Sequence, residues 1–549
     1  MKFPYLTLVA AMLPFAGFAD GSTEMLWPGS GMPDAQAGVA APYLEWAAEP
    51  TTNVGSCVII VAGSDYAAVG DGSELRPLEE KLLSNGVTCV WLHTRPSASG
   101  LPSYKVAWED GQRAVRLVRQ SAAERGYSAD KIGVMGYSAG AHLSLLLSAS
   151  SQTAAYAKVD SVDDIACNVN FAMPISPTGV LVDALTIDPV FKFDAKTAAT
   201  CLFHGGIDTV ASPLASTRVY RKIRMVKTSN GVRLADAEIH LDPDRGHEPL
   251  SADAFERGVE FMRQKGFLGD LPGLVGVFSR FPNDNAQSEA IKIKNIWPEG
   301  KTPDYQSAQH QWSGDDANPW IEWHLPKNRT TDAILILYAG GGYNFNKTGD
   351  FEVVPVQRYF VEQGLTVVNF HYRSPRPAGL PKHMSAWQDL QRAIRLVRAE
   401  APNKGLDPQK IGLMGHSAGG HLTLMGATTS QTAAYEPIDA IDQLPCNVQF
   451  AIALFPAYAL TDGIDDYNTN RGDPDWVSLV PDFAFDSDTC PMLFIHGDDD
   501  IFATMNSVVC WEKLRSIGIR SEVHTLATAH HDFFQNARPG TGSYHYNER

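Results

Sequence analysis

Short apolar runs recur along the chain, and the stretches between them carry hydrophobic residues at helical spacing. Cys57 to Ala62, Val87 to Leu92, Ala333 to Tyr338 and Leu365 to Phe370 are continuous enough to predict strands covered on both faces. Ala386 to Arg398 sets Leu390, Ile394 and Val397 on one face at i, i+4 and i+7, with Arg392 and Arg395 elsewhere, which predicts an amphipathic helix. Strands alternating with helices predict an α/β class, a mostly parallel sheet flanked by helices.

The pattern occurs twice. Ala107 through Arg119 recurs as Ala386 through Arg398 with three substitutions, an offset of 279 residues. The same offset maps Lys131-Ile132-Gly133 onto Lys410-Ile411-Gly412 and Cys167-Asn168-Val169 onto Cys446-Asn447-Val448. Upstream, Trp27-Pro28 matches Trp297-Pro298 and Glu45-Trp46 matches Glu322-Trp323. A repeat this long is a duplicated domain and not a solenoid unit. The expected division is a leader over 1–19, a first domain over 20–266, a linker over 267–290 punctuated by Gly, Pro and Asn, and a second domain over 291–549.

Composition narrows the function classes. With 62 acidic against 45 basic residues the net charge is −17, which argues against nucleic acid or an anionic membrane as partner. Met1-Lys2, the apolar run Phe3 to Phe18 and the small-residue pattern Gly17-Phe18-Ala19 read as a cleavable secretory leader, so a periplasmic or extracellular protein is expected. No later segment resembles a membrane span. None of the seven cysteines falls in a metal-binding spacing, so they are expected to be buried small side chains, with no metal and no cofactor.

Each repeat carries a nucleophile motif in register. Gly415-His416-Ser417-Ala418-Gly419 follows the apolar run Ile411 to Met414 and precedes a helical pattern, and Gly136-Tyr137-Ser138-Ala139-Gly140 sits in the same context. One GxSxG is weak evidence, but two in register with flanking strand and helix predict a nucleophile elbow. A serine hydroxyl needs a base to take its proton and a carboxylate to orient that base. Aligning His204-Gly205-Gly206-Ile207-Asp208 with His496-Gly497-Asp498-Asp499-Asp500 selects Asp208 and Asp500 as the acids. Glu238-Ile239-His240 aligns with Glu522-Val523-His524, and nine residues past each glutamate stand His247 and His531, the expected bases, with His530 as competitor in the second repeat. His240 and His524 are left to strand packing, and His142 and His421 to support of the serine loop.

For the oxyanion, Gly340-Gly341-Gly342-Tyr343 follows the first buried strand of the second repeat, so Gly341, Gly342 and Ala418 are the expected donors. The first repeat reads Gly63-Ser64-Asp65-Tyr66 there. Its expected donors are Ser64 and Ala139, with the Asp65 carboxylate positioned to oppose the developing charge. Further on the offset grows from 279 to 292, an insertion of 13 residues between about Pro456 and Pro481 in the second repeat. Its Tyr458, Tyr467, Arg471 and Trp476, together with Tyr343, are candidate sugar contacts. The first repeat continues from Phe255-Glu256-Arg257 into a helix over Gly258 to Lys265, whereas the second reaches Asn547-Glu548-Arg549, so the second domain is expected to lack that final helix.

On the Gly340 to Tyr343 loop, the two GxSxG blocks, the HGxxD blocks and the terminal histidines, the chain resembles carbohydrate-esterase-like α/β-hydrolases related to feruloyl and acetyl xylan esterases. The resemblance runs through both repeats. It implies two tandem α/β-hydrolase domains acting on acetyl or feruloyl esters of polysaccharide. A general carboxylesterase or lipase on small or apolar esters is the alternative reading, and a noncatalytic binding or scaffolding role for the first domain is another. The sequence leaves the oligomeric state open.

Overall fold

The computed structural model describes residues 21–531, apart from 30, 68–69, 229–233, 269–287, 294, 305–316, 347–352, 376–378, 462–477, 528 and 530. The expected leader, the Trp476, Tyr467 and Arg471 positions, His530 and the chain beyond 531 therefore lie outside the described residues.

The first repeat contributes β1 (Thr23–Met25), β2 (Tyr43–Trp46), β3 (Cys57–Val61), β4 (Thr88–His93), β5 (Ile132–Tyr137), β6 (Phe171–Ile175), β7 (Ala199–Gly205) and β8 (Ala237–Asp242). The second contributes β9 (Ser288–Ile293), β10 (Trp320–Pro326), β11 (Ile334–Tyr338), β12 (Thr366–His371), β13 (Ile411–His416), β14 (Phe450–Leu454), a small ribbon of β15 (Leu460–Thr461) and β16 (Ser478–Leu479), then β17 (Met492–Gly497) and β18 (Glu522–Leu526). Among the described residues all but the ribbon join one sheet, in the order β1-β2-β4-β3-β5-β6-β7-β8-β18-β17-β14-β13-β11-β12-β10-β9. Each half is parallel from its fourth strand inward, and the halves meet where β8 and β18 pair antiparallel, His240 opposite His524. The second half thus repeats the first about a pseudo-twofold axis at the seam.

Helices cover the faces: α1 (Arg76–Ser84), α2 (Lys105–Gln120), α3 (Ala139–Ala149), α4 (Leu214–Arg224) and α5 (Glu256–Gln264), then α6 (Val354–Glu362), α7 (Met384–Glu400), α8 (Ala418–Thr428) and α9 (Met505–Ser516). Covering from both sides explains why β3 and β11 are apolar at every position and wholly buried. One continuous core runs through both repeats on one face, while separate clusters fill the other. Ala527 of the second repeat belongs to the first repeat's cluster, so the seam is packed and not merely hydrogen-bonded.

The duplicated Ala107 to Arg119 block has a structural cause. Its Asp110 is buried, accepts from Trp27 Nε1 at 2.8 Å and pairs with Arg95 at 2.8 Å. In the second repeat Asp389 accepts from Trp297 Nε1 at 2.7 Å and pairs with Arg373 at 2.8 Å. A buried carboxylate is tolerated because every partner is supplied, and losing one leaves an uncompensated charge. The tryptophans that open the repeats are thereby locked to α2 and α7.

The expected linker 267–290 is structured at its described ends. Phe267 lies against Phe171 with ring centroids 4.4 Å apart, Leu268 is buried, and Ser288–Ile293 is a strand paired with β10. Apolar Phe267-Leu268 has core to fill, and a strand at the sheet's edge needs only backbone pairing, which loop-like composition does not forbid. All seven cysteines are buried free thiols, and no helix among the described residues is long and apolar enough to cross a membrane.

Candidate active site

Ser138 stands between β5 and α3 with φ 56°, and Ser417 between β13 and α8 with the same φ. A non-glycine residue in that region is strained, and the strain persists because the turn is over-determined on both sides. Gly140 shows one such determinant: a Cβ there would lie 2.2 Å from the Val61 carbonyl oxygen, so α3 can press its first turn against β3 only with glycine. Gly419 meets the Ala339 carbonyl in the same way, at 2.6 Å.

The loops after β7, β8, β17 and β18 bring the other expected residues to each serine. His247 Nε2 lies 3.0 Å from Ser138 Oγ, and its Nδ1 lies 2.7 Å from Asp208 Oδ2. His531 Nε2 lies 2.7 Å from Ser417 Oγ, and its Nδ1 lies 2.8 Å from both Asp500 oxygens. His531, the expected base, is thus brought to the serine, while its competitor His530 lies outside the described residues. Asp208 is buried, which opposes its charge, yet hydrogen bonds from His204, His247 and the Ala211 N–H outweigh burial and hold its carboxyl well below the usual range. Asp500 is held low by the same balance through His496 and His531.

His204 and His496, which open the HGxxD blocks, are functional neighbours that sequence reasoning passed over. His204 lies 2.8 Å from Ser216 Oγ and 3.0 Å from the Ala211 carbonyl, and burial pushes its pKa down. His496 spans Ser507 Oγ and the Phe502 carbonyl in the same way, at 2.8 and 3.1 Å. Each therefore ties the acid loop to the helix that follows it. The signal was available: the histidine recurs four residues before the acid in both repeats.

Beside the nucleophiles the repeats diverge. In the second, Gly341 has φ 116° and Gly342 φ 63°, and a Cβ on Gly341 would lie 2.1 Å from the Phe345 carbonyl oxygen. The Gly340 N–H donates to His416 Nε2 at 3.0 Å, so the residue before the nucleophile anchors the loop. In the first, Asp65 and Tyr66 at 49° and 59° match Gly342 and Tyr343, itself at 59°, so the backbones part at Ser64, which has no positive φ, and Gly63 N–H donates to Glu74 Oε1 at 3.2 Å. Tyr137, in the place of His416, donates instead to the His247 carbonyl. Asp65 itself is exposed, so solvent screens the carboxylate expected to oppose the developing charge.

Tyr343 requires a correction. It is 1% exposed and its hydroxyl lies 2.8 Å from His421 Nδ1, while Tyr66 and His142 make the same pair at 2.9 Å. A tyrosine so enclosed props the loop from beneath and does not face substrate. Burial pushes His142 down to about 4 and His421 well below its ordinary value, so both are neutral struts, as their place on the serine helix predicts. Tyr458 is also buried, stacked on Tyr343, and a Cβ at Gly342 would come within 3.4 Å of its hydroxyl oxygen. The expected donors Ala139 and Ala418 are the first helical residues after each serine, with N–H groups at a helix N-terminus.

The three best-aligned side chains of each repeat thus form Ser–His–Asp relays, reached in the chain order Ser, Asp, His. Over 149 residues the chain is 31% identical to the probable carboxylic ester hydrolase LipM of Mycobacterium tuberculosis, a match covering 26% of this chain and 33% of that protein. Over 121 residues it is 30% identical to the acetylxylan esterase of Xylanibacter ruminicola, covering 21% of this chain and 23% of that one. It therefore spans a third or less of the length of these curated relatives, which are ester hydrolases. Among solved structures, the acetyl ester-xyloside bifunctional hydrolase from Caldicellulosiruptor lactoaceticus matches 47% of this chain and 100% of its own at 22% identity and a TM-score of 0.38. A thermophilic esterase from Thermogutta terrifontis matches 44% and 89% at 23% identity and a TM-score of 0.34. The BD-FAE family model matches residues 47–180 in one repeat and 321–514 in the other, more than half of the chain, and the protein belongs to that family.

Proposed function

We propose that the protein is a secreted serine carbohydrate esterase, built of two tandem α/β-hydrolase domains, that removes acetyl or feruloyl groups from polysaccharide. The observation that carries the reading is the same hydrogen-bonded order, serine to histidine to aspartate, built twice on strained strand-to-helix turns. Nothing in sheet packing asks for that order at both serines. The name of the Xylanibacter relative supports an acetylated xylan as the substrate class.

In the proposed mechanism Ser417 Oγ attacks the ester carbonyl while His531 takes its proton, and Asp500 keeps the imidazole oriented and stabilises its charged form. The N–H groups of Ala418 and of Gly341 or Gly342 receive the oxyanion. Collapse expels the sugar oxygen, which takes the proton from His531 and leaves an acyl-serine. Water, deprotonated by His531, then attacks that ester, the bond from the acyl carbon to Ser417 Oγ breaks, and His531 returns the proton to Ser417 as the acid departs. Ser138, His247 and Asp208 take the same parts in the first repeat, with Ala139 and Ser64 as donors.

The test is release of acetate and ferulate from natural acetylated and feruloylated polysaccharides by the parent and by Ser138→Ala, Ser417→Ala and the double variant. Turnover by the double variant near the parent rate overturns the triad. A second reading, a general carboxylesterase, is supported by the name of the mycobacterial relative. A long-chain aryl ester turned over faster than acetylated xylan would favour it.

A further inference from the structure

The seam carries a contact that the chemistry above does not use. From α4 of the first repeat, Tyr220 and Arg224 reach across to the loop that presents Asp500 in the second. The Tyr220 hydroxyl donates to Asp498 Oδ1 and lies 2.8 Å from Thr504 Oγ1, so a single side chain touches both ends of the loop whose middle is Asp500. Arg224 pairs with the Asp498 carboxylate, donates to the Asp498 carbonyl at 3.0 Å and to the Tyr220 hydroxyl oxygen at 3.2 Å. Asp498 is fully buried, and its charge is balanced by an arginine of the other repeat.

The pseudo-symmetric contact is much thinner. Position 206 stands where Asp498 does in the second repeat and is glycine. From α9, Arg515, in the place of Arg224, donates from Nε to the Gly206 carbonyl at 3.2 Å, while Trp511, in the place of Tyr220, donates instead to the Ser521 carbonyl of its own repeat at 2.7 Å. A cavity of about 310 Å³ remains there, lined by Gly206, Asp208, Trp511 and Arg515 among others. Both acid loops are thus tied within their own repeat, and that of the second carries a side-chain brace from across the seam in addition.

We infer that Tyr220 and Arg224 of the first repeat are positioning residues for the active site of the second. The inference rests on Ser417, His531 and Asp500 acting as proposed above. Residues on one repeat then set the geometry of the other's acid, and a displacement of Asp500 by even a fraction of its hydrogen-bond length weakens the orientation of His531.

The two serines let the idea be tested within one folded chain. In a Ser138→Ala background, which reports only the second site, Tyr220→Phe is expected to lower kcat between about ten- and a hundredfold with little change in KM, with Arg224→Ala at least as severe and Arg224→Lys partly restored. In a Ser417→Ala background, which reports only the first site, the same Tyr220→Phe is expected to leave turnover within about twofold. A loss confined to the second site supports the inference, because a packing defect in α4 would strike its own repeat first. Unchanged kcat in the Ser138→Ala background, or equal losses in both, overturns it. If Ser417→Ala fails to remove the activity left in Ser138→Ala, the triad reading has failed instead.

Discussion

The two repeats hold their serine, histidine and aspartate in the same order, and share the histidine behind each acid and the tyrosine–histidine strut under each loop, yet differ at three places beside them. Glycine at 341 and 342 faces serine and aspartate at 64 and 65; His416 anchors a loop N–H where Tyr137 anchors the base's carbonyl; Asp498 is braced across the seam where Gly206 is barely touched. The hydrogen-bonded serine, histidine and aspartate are thus the same in both copies, while the loops beside them have diverged. The relay tolerates little drift because each member needs the next at hydrogen-bond distance, while a loop donor can be supplied by several backbone paths.

The largest expected effect removes both relays: Ser138→Ala/Ser417→Ala should lower ester turnover on the order of 10⁶-fold while melting as the parent does. Of the single variants, Ser417→Ala should cost more of the activity on a model acetyl ester than Ser138→Ala. A greater loss from Ser138→Ala would reverse the ranking of the repeats. Next comes the glycine loop. Gly341→Ala, measured in the Ser138→Ala background, should lose about a hundredfold in kcat because its Cβ would collide with the Phe345 carbonyl and turn the donors away. Retained activity there would mean that the oxyanion is held elsewhere.

A smaller change is expected at Asp65. Since its side chain is exposed, water and salt screen its field, and Asp65→Asn should alter first-site kcat by no more than about fivefold. A larger gain would show that the carboxylate, and not the conformation of Ser64, limits that site. The last prediction concerns stability. Burial raises the Glu238 carboxyl to about 7, above its ordinary value, so the stability tied to its neutral form is present below the ordinary carboxylate range and lost as pH rises through about 7. Melting temperature should fall between pH 6 and 8 in the parent by more than in Glu238→Gln, which removes the buried charge. Equal slopes would acquit Glu238.

Much of this was legible in the residues, for identifiable reasons. Runs such as Ile334–Tyr338 announce a strand because burial on both faces admits no polar position, and the in-register repeat turned two weak GxSxG motifs into a strong one. His531 was found by counting from an aligned glutamate, without knowledge of the loop between. What stayed hidden was set by three dimensions. Nothing in the spacing of Tyr343 separates a side chain facing substrate from one enclosed beneath its loop against His421. His240 and His524 read as ordinary strand residues, and only the antiparallel meeting of β8 and β18 brings their Nδ1 atoms within 2.9 Å. Tyr220 carries no motif at all, since its partner is 278 residues away.

The continuous sheet has one more consequence, for how the molecule behaves on dilution. Left alone, β8 and β18 would each present a row of unpaired backbone groups, the kind of margin on which chains aggregate. Here each strand closes the other, as two subunits of a symmetric dimer would, but the two copies are written into one polypeptide. Association between separate subunits weakens as their concentration drops, whereas two halves of one chain meet at a fixed effective concentration. The union of its halves is then independent of how many molecules surround it.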